Sequence, residues 1–189
     1  DLILLRANTA KTELSIRSNS IIKTFVKMDL DFFKKTRILD GGMGQELLAR
    51  GMKPNGTLWS ANAIINPDYH KLLLDTHFDF VKAGAEVIVT STFTTRRNRL
   101  RDNNVEDKFE YLNKKAGEIA IEVKQKFPNI LIAGGLPPQN NTYEADDRPK
   151  KEITENFNEQ ARLLNPYIDF FYFDVWSSIC LLYTSDAAD

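Results

Sequence analysis

Four short apolar runs, separated by helical patterns, constrain the fold more than any other feature of this 189-residue chain. None of the runs alternates apolar with polar residues, so each is predicted to be a strand buried on both faces, as in a parallel sheet covered by helices. The runs begin roughly every 40 to 50 residues, which indicates a repeated βα unit. They are RILDGG (37–42), EVIVTSTF (86–93), NILIAGGL (129–136) and IDFFYFDV (168–175).

Three helices are predicted between these runs, because apolar residues recur on one face and the ends carry capping or breaking residues. Asparagine or proline stands at each start, and glycine or proline at each end. The helices are predicted from Asn66–Pro67 to Gly84, from Asn104 to Pro128, and from about Pro149 to Asn165–Pro166.

Two α/β architectures fit this order of elements: an open doubly wound sheet and a (β/α)8 TIM barrel. A barrel needs about 250 residues, so about four βα units would form only half of one. Four strands cannot close a barrel, and the two outer strands would be left without partners.

Residues 28–179 are expected to form this domain, with a different origin for each flanking segment. Segment 1–27 precedes the first methionine, Met28, and has no secretory apolar core. We interpret it as translated upstream sequence or a leader, with an organellar transit peptide as the alternative. The tail CLLYTSDAAD (180–189) follows an apolar run without a helical pattern, and we interpret it as a sequencing-adapter artefact.

Composition excludes several classes of protein. The formal net charge is -1, with 25 basic and 26 acidic residues, so no overall field favours nucleic acid or an anionic membrane. Cys180 is the only cysteine, so no internal disulfide is possible. No run reaches the roughly 18 apolar residues of a membrane-spanning helix, and we expect a cytoplasmic protein.

Acidic and glycine residues follow the predicted strands, at the edge where parallel α/β folds bind their ligands. Asp40-Gly41-Gly42 end the first run and Asp174 lies at the end of the fourth. A carboxylate suits a substrate ammonium, and glycine lets backbone N–H groups approach a ligand closely. The pattern predicts a pocket for a small amino acid, although Asp40-Gly41 could also be an ordinary turn.

The sequence gives less support to a nucleotide-binding loop or a histidine metal site. The glycines at 41, 42 and 44 lack the spacing of a nucleotide loop, and Asp40 would repel a phosphate. His70 and His77 lie two turns apart on one helix, too far to share a metal, so both are interpreted as packing or surface residues.

Four stretches, in this order, resemble the N-terminal half of the homocysteine S-methyltransferase family over about residues 37–175. The second is the most specific, because it combines Trp59-Ser60-Ala61, Pro67, His77 and a final Thr-x-Thr-Phe. The stretches are ILDGGMGQELLARG, LWSANAIINPDYHKLLLDTHFDFVKAGAEVIVTSTF, AGGLPP and DFFYFDV.

The resemblance implies a zinc-dependent TIM-barrel enzyme that transfers a methyl group from a sulfonium or ammonium donor to homocysteine and forms methionine. Asp174 stands where the family usually has a glutamate for the substrate ammonium. No catalytic residue is assigned, and a non-catalytic half-barrel assembly module is the alternative. The residues expected to bind homocysteine are Asp40, Gly41, Gly42, Thr92, Phe93 and Asp174.

The family's zinc ligands, three cysteines in the second half of the barrel, have no counterpart in this sequence. Zinc would deprotonate the homocysteine thiol and so make it nucleophilic at neutral pH. We therefore expect the full-length protein, and not this fragment alone, to be an active methyltransferase.

We predict that the purified 189-residue chain binds no stoichiometric zinc, because its one thiol cannot form a tetrahedral site. Metal analysis of the wild type and Cys180→Ser after dialysis tests this. One zinc per chain that survives Cys180→Ser would contradict the prediction.

Overall fold

The computed structural model describes residues 30–176, and in this range a three-stranded parallel sheet is packed against helices. The strand order is β1-β2-β3, and both neighbouring pairs are parallel. The interpretations of segments 1–27 and 180–189 fall outside the described residues. The strands are β1 (Val87–Val89), β2 (Leu131–Leu136) and β3 (Phe170–Phe173).

Six α-helices and five short 3-10 helices are present in the described range. The α-helices are α1 (Met43–Ala49), α2 (Asn62–Ile65), α3 (His70–Lys82), α4 (Arg97–Asp102), α5 (Phe109–Lys126) and α6 (Lys150–Leu164). The 3-10 helices span Leu30–Lys34, Trp59–Ala61, Pro67–Tyr69, Glu106–Lys108 and Asn165–Tyr167.

Three of the four apolar runs contain the strands of the parallel sheet, as predicted, but the first run is not a regular strand. Only Leu39 forms a bridge, to Val87 of β1. The backbone pairing stops there because the Asp40 side chain, rather than a further carbonyl, accepts the N–H of Val89 at 3.0 Å. The prediction of a strand over 37–42 is therefore wrong beyond this single bridge.

The helix ends are predicted with mixed success. Asn66 accepts a hydrogen bond from the Asp68 N–H, and Gly84, at φ +114°, follows α3 in a conformation that favours glycine. The predicted cap at Asn104 is wrong: Asn104 has φ +57° in the turn after α4, and the long helix begins at Phe109.

The core is built mainly around β2 and α5. Every residue of β2 is buried, as predicted, and α5 contributes Leu112, Ala116 and Val123 to the apolar clusters. In β3 only Phe170 is buried, so the prediction of two covered faces is wrong for 171–173.

Within residues 30–176, no helix combines the length and apolarity needed to cross a bilayer.

An ion pair with a buried lysine links α5 to Asp169, the residue before β3. The Lys124 ammonium donates to the Asp169 carboxylate at 2.6 Å, and the Lys124 side chain is only 4% exposed. Asp169 also accepts the Ile132 N–H at 2.7 Å, so one carboxylate joins a helix and two strands.

Lys124→Met should lower the free energy of unfolding by about 3 kcal/mol, because it leaves the Asp169 charge without its buried partner. Lys151→Met is the matched control, since Lys151 lies on the surface in a 3.9 Å pair with Glu155 and should cost under about 1 kcal/mol. Urea denaturation measures both, and equal losses would contradict the prediction.

Candidate functional site

A pocket of about 340 Å³ opens at the carboxyl ends of the strands. Five of the six residues predicted to bind substrate line it: Asp40, Gly41, Gly42, Phe93 and Asp174. The remaining lining residues are Leu39, Met43, Gly44, Gln45, Trp59, Ser60, Val89, Thr90, Ser91, Tyr172 and Val175. The rim identified from the sequence is therefore a real concavity in the fold.

Asp40 is held at the base of this pocket by backbone contacts with β1. Its N–H donates to the Val87 carbonyl at 3.0 Å, and its Oδ2 accepts the Val89 N–H at 3.0 Å. The side chain is only 4% exposed, and burial raises its pKa from 3.8 to about 7. The field of Asp174 adds to this rise, while the Val89 hydrogen bond opposes it.

The second carboxylate, Asp174, lies just after β3, where its N–H donates to the Leu136 carbonyl at 3.1 Å. Burial raises the pKa of Asp174 as well. Tyr172, on the same wall, also has a raised pKa, first from burial and then from the fields of Asp174 and Asp40. The pocket thus concentrates acidic groups whose charges a bound cation would stabilise.

The glycines after Asp40 allow other residues to pack closely around the pocket. A Cβ on Gly41 would lie 2.7 Å from the Phe80 ring, and a Cβ on Gly44 would overlap the Trp59 indole at 1.7 Å from Nε1. Gly42 has open space around it. A side chain at position 44 is therefore incompatible with Trp59, and one at position 41 would displace the Phe80 ring, whereas Gly42 leaves the backbone accessible from the pocket.

Thr92 does not line the pocket, in contrast to the expectation from the resemblance. Its side chain is fully buried and donates to the Gly135 carbonyl at 2.7 Å, while the Gly135 N–H donates to Thr90 Oγ1 at 3.0 Å. These bonds join the ends of β1 and β2 beneath the pocket. Phe93 does line the pocket, and its carbonyl accepts a hydrogen bond from the buried Arg96 at 3.1 Å.

Several pocket residues were not singled out from the sequence as ligand contacts. Trp59 is 43% exposed and has φ +50°, an uncommon backbone conformation for a bulky residue. Ser91 is buried, and its hydroxyl has no hydrogen-bond partner among the described residues. Ser91 stands inside the Thr-x-Thr-Phe motif, so that motif could have drawn attention to it.

His77, interpreted from the sequence as a packing or surface residue, lies next to Asp40. Its Nδ1 is 3.7 Å from Asp40 Oδ2, and the side chain is 1% exposed. Burial lowers the pKa of His77 from 6.5 to about 4, so the ring is neutral at physiological pH. The histidine is therefore a buried neighbour of the pocket carboxylate.

The described residues do not fit a catalytic metal. Within 30–176 no three His, Cys, Asp or Glu side chains are grouped closely enough to hold a metal ion. The pair of aspartates in the pocket is two carboxylates rather than a three-ligand set. Chemically, these two carboxylates can attract a cationic group.

The fold and pocket define an α/β protein with an acidic pocket at the carboxyl ends of parallel strands. The model of the family described as homocysteine S-methyltransferase matches residues 37–181. The chain belongs to the homocysteine S-methyltransferase family.

Individual relatives agree with this assignment. Homocysteine S-methyltransferase 2 of Zea mays is 32% identical over 104 residues, covering 54% of this chain and 30% of the maize protein. Homocysteine S-methyltransferase of Escherichia coli is 29% identical over 118 residues, covering 58% of this chain and 37% of the bacterial protein. The matched part of the chain thus spans about a third of these relatives.

A solved structure supports the fold. The homocysteine methyltransferase MmuM from Escherichia coli, in its metallated form, superposes with a TM-score of 0.71 at 20% identity. The superposition covers 84% of this chain and 61% of MmuM. The parallel arrangement of strands and helices is therefore shared with that enzyme.

Asp40→Asn should remove a pH-dependent loss of stability. The unfolded carboxyl ionises near 3.8 but the folded one only at about 7, so Asp40 lowers the free energy of unfolding as pH rises between these values. The variant should match the wild type within about 1 kcal/mol at pH 4 and exceed it by a few kcal/mol at pH 8.

Urea denaturation of both proteins at each pH isolates this effect, since His77 and Asp174 titrate in both. Asp75→Asn is the control, because Asp75 is a surface residue of α3 paired with Lys71. A stability difference between Asp40→Asn and the wild type that stays constant from pH 4 to 8 would contradict the assignment.

Proposed function

We propose that the acidic pocket binds the amino-acid end of L-homocysteine, and that this chain supplies the amino-acid part of a homocysteine methyltransferase site. The observation that carries the proposal is a pair of carboxylates in one pocket, the buried Asp40 and the partly buried Asp174, beside the accessible backbone at Gly42. Burial makes both acids costly to ionise, so a bound ammonium is the group that best offsets this cost.

The polar surroundings favour a zwitterionic amino acid over a simple amine. The pocket contains the Ser91 hydroxyl, which is a free donor among the described residues, and the unobstructed backbone at Gly42. Hydroxyl and backbone N–H groups suit a substrate carboxylate. Phe93 and Trp59 supply apolar surface for the remaining methylene chain.

Residues 28–179 are proposed to form the N-terminal half of a (β/α)8 barrel. The parallel order β1-β2-β3, the bridge at Leu39 and the likeness to MmuM support this architecture. Such a half-barrel presents pocket residues at the carboxyl ends of its strands, where barrel enzymes bind substrate. Methyl transfer to homocysteine, giving methionine, is proposed for the whole protein, with a small sulfonium or ammonium donor.

Zinc is part of the proposal for the whole protein only. Its chemistry, when bound, would be to hold and deprotonate the substrate thiol. Because the described residues lack a three-ligand group, we assign them no step at the metal. Their proposed role is to bind the ammonium and orient the amino acid.

Calorimetric titration with L-homocysteine tests the proposal on the chain itself. Asp40→Asn and Asp174→Asn should each weaken binding at least about tenfold, since each removes a charge-assisted contact with the ammonium. Wild-type affinity should rise with pH through about 7, because Asp40 must ionise to bind a cation well. Binding should release a proton at pH 6, measurable as a dependence of the heat on the buffer.

Asp75→Asn, the surface control on α3, should bind as the wild type does. Asp174→Glu tests the departure from the family's usual glutamate and should retain more affinity than Asp174→Asn. Equal binding by the wild type, Asp40→Asn and Asp174→Asn would refute the proposed site.

A further inference from the structure

His77 carries a polar atom whose hydrogen bond is unmade. The imidazole is 1% exposed, and Nδ1 has no hydrogen-bond partner among the described residues. Buried polar atoms are hydrogen-bonded as a rule, so an unpaired one beside the pocket residue Asp40 needs an explanation. The nearest acidic atom is Asp40 Oδ2 at 3.7 Å, about 0.5 Å beyond the usual range of an N–H···O hydrogen bond.

The location of the ring argues against a role in packing alone. An apolar side chain would fill this part of α3 without the cost of leaving a ring nitrogen desolvated. Phe80, one turn further along α3, fills space against Gly41 in just this way. His77 and Phe80 therefore lie on the side of α3 that faces Asp40 and Gly41.

We propose that His77 is a positioning residue for Asp40: its neutral ring donates the Nδ1–H to Asp40 Oδ2 when the carboxylate ionises against a substrate ammonium. This inference rests on the proposed function of the pocket. As the ammonium binds, the Asp40 carboxyl loses its proton to solvent, and Oδ2 then accepts from both the Val89 N–H and His77. The second carboxylate oxygen, Oδ1, is left to face the ammonium.

The groups around Asp40 agree with this role. From α3 the titratable neighbour is His77, whose low pKa keeps it a neutral donor above pH 5. From the end of β3 come Asp174, whose charge opposes ionisation of Asp40, and Tyr172, whose raised pKa keeps it neutral at physiological pH. Val87–Val89 of β1 contribute only apolar side chains. A donor from His77 therefore offsets part of the penalty that burial and Asp174 impose.

Three substitutions separate positioning from packing. His77→Leu removes the donor, whereas His77→Asn keeps an amide nitrogen near the position of Nδ1. Thr76→Val is the matched control, because Thr76 is buried next to His77 and its hydroxyl donates to the Leu72 carbonyl within the helix. Two readouts apply: L-homocysteine affinity from pH 5.5 to 8.5, and the titration of the Asp40 carboxyl by carbon NMR in the free chain.

We expect His77→Leu to weaken binding about tenfold at pH 7 and to move the Asp40 midpoint up by about one pH unit. His77→Asn should restore most of both, and Thr76→Val should leave the midpoint unchanged. A residue with only a packing role would alter stability without moving the midpoint.

The inference is overturned if folded His77→Leu keeps the wild-type Asp40 midpoint, or if His77→Asn behaves as His77→Leu does. Should His77→Leu not fold, His77→Asn and His77→Gln replace the comparison, since the glutamine amide nitrogen lies near Nε2 instead; equal Asp40 midpoints would then overturn it. If the wild-type chain binds no homocysteine, the proposed function fails, and the carboxyl titration still decides whether His77 and Asp40 are paired.

Discussion

The bond from the Val89 N–H to the Asp40 carboxylate is the interaction on which the arrangement of the site depends. It replaces a backbone bond of the sheet with a side-chain bond, so the chain can leave the strand direction after Leu39 and turn into α1. The same bond fixes a carboxylate in a nearly dry position. One contact thus ends the pairing with β1 and fixes the position of a carboxyl group in the pocket.

Burial of that carboxylate sets a conflict between stability and binding. An acid with a raised pKa lowers the free energy of unfolding as pH rises towards neutrality, yet it gains most when a bound cation stabilises its charge. The charge of Asp174 raises the pKa of Asp40 further, and a hydrogen bond from His77 would lower it. The second carboxylate and the histidine therefore belong to the same electrostatic balance, although they come from β3 and α3.

The sequence predicted the parallel α/β class, the end signals at Asn66 and Gly84, and most of the pocket, because these follow from apolar patterning and from the common edge of parallel strands. It did not predict that Asp40 would interrupt the first strand, since a side chain that replaces a backbone acceptor leaves no mark on periodicity.

Thr92 was misplaced for a related reason. The sequence after β1 does not show which hydroxyl, Thr90 or Thr92, lies at the pocket and which one donates to the Gly135 carbonyl. His77 was interpreted as packing or surface because two histidines seven residues apart suggest no shared chemistry until the helix is docked.

The contact between Gly44 and Trp59 has a consequence for how this pocket can diverge among related proteins. Because the indole occupies the volume that any side chain at position 44 would need, position 44 cannot accept a larger residue while tryptophan stands at position 59. A larger residue at 44 is tolerated only together with a smaller or displaced residue at 59, and that paired change would widen the mouth of the pocket. Variation in the size of the accepted ligand should therefore appear as coupled substitution at these two sites, before any change at the acidic base.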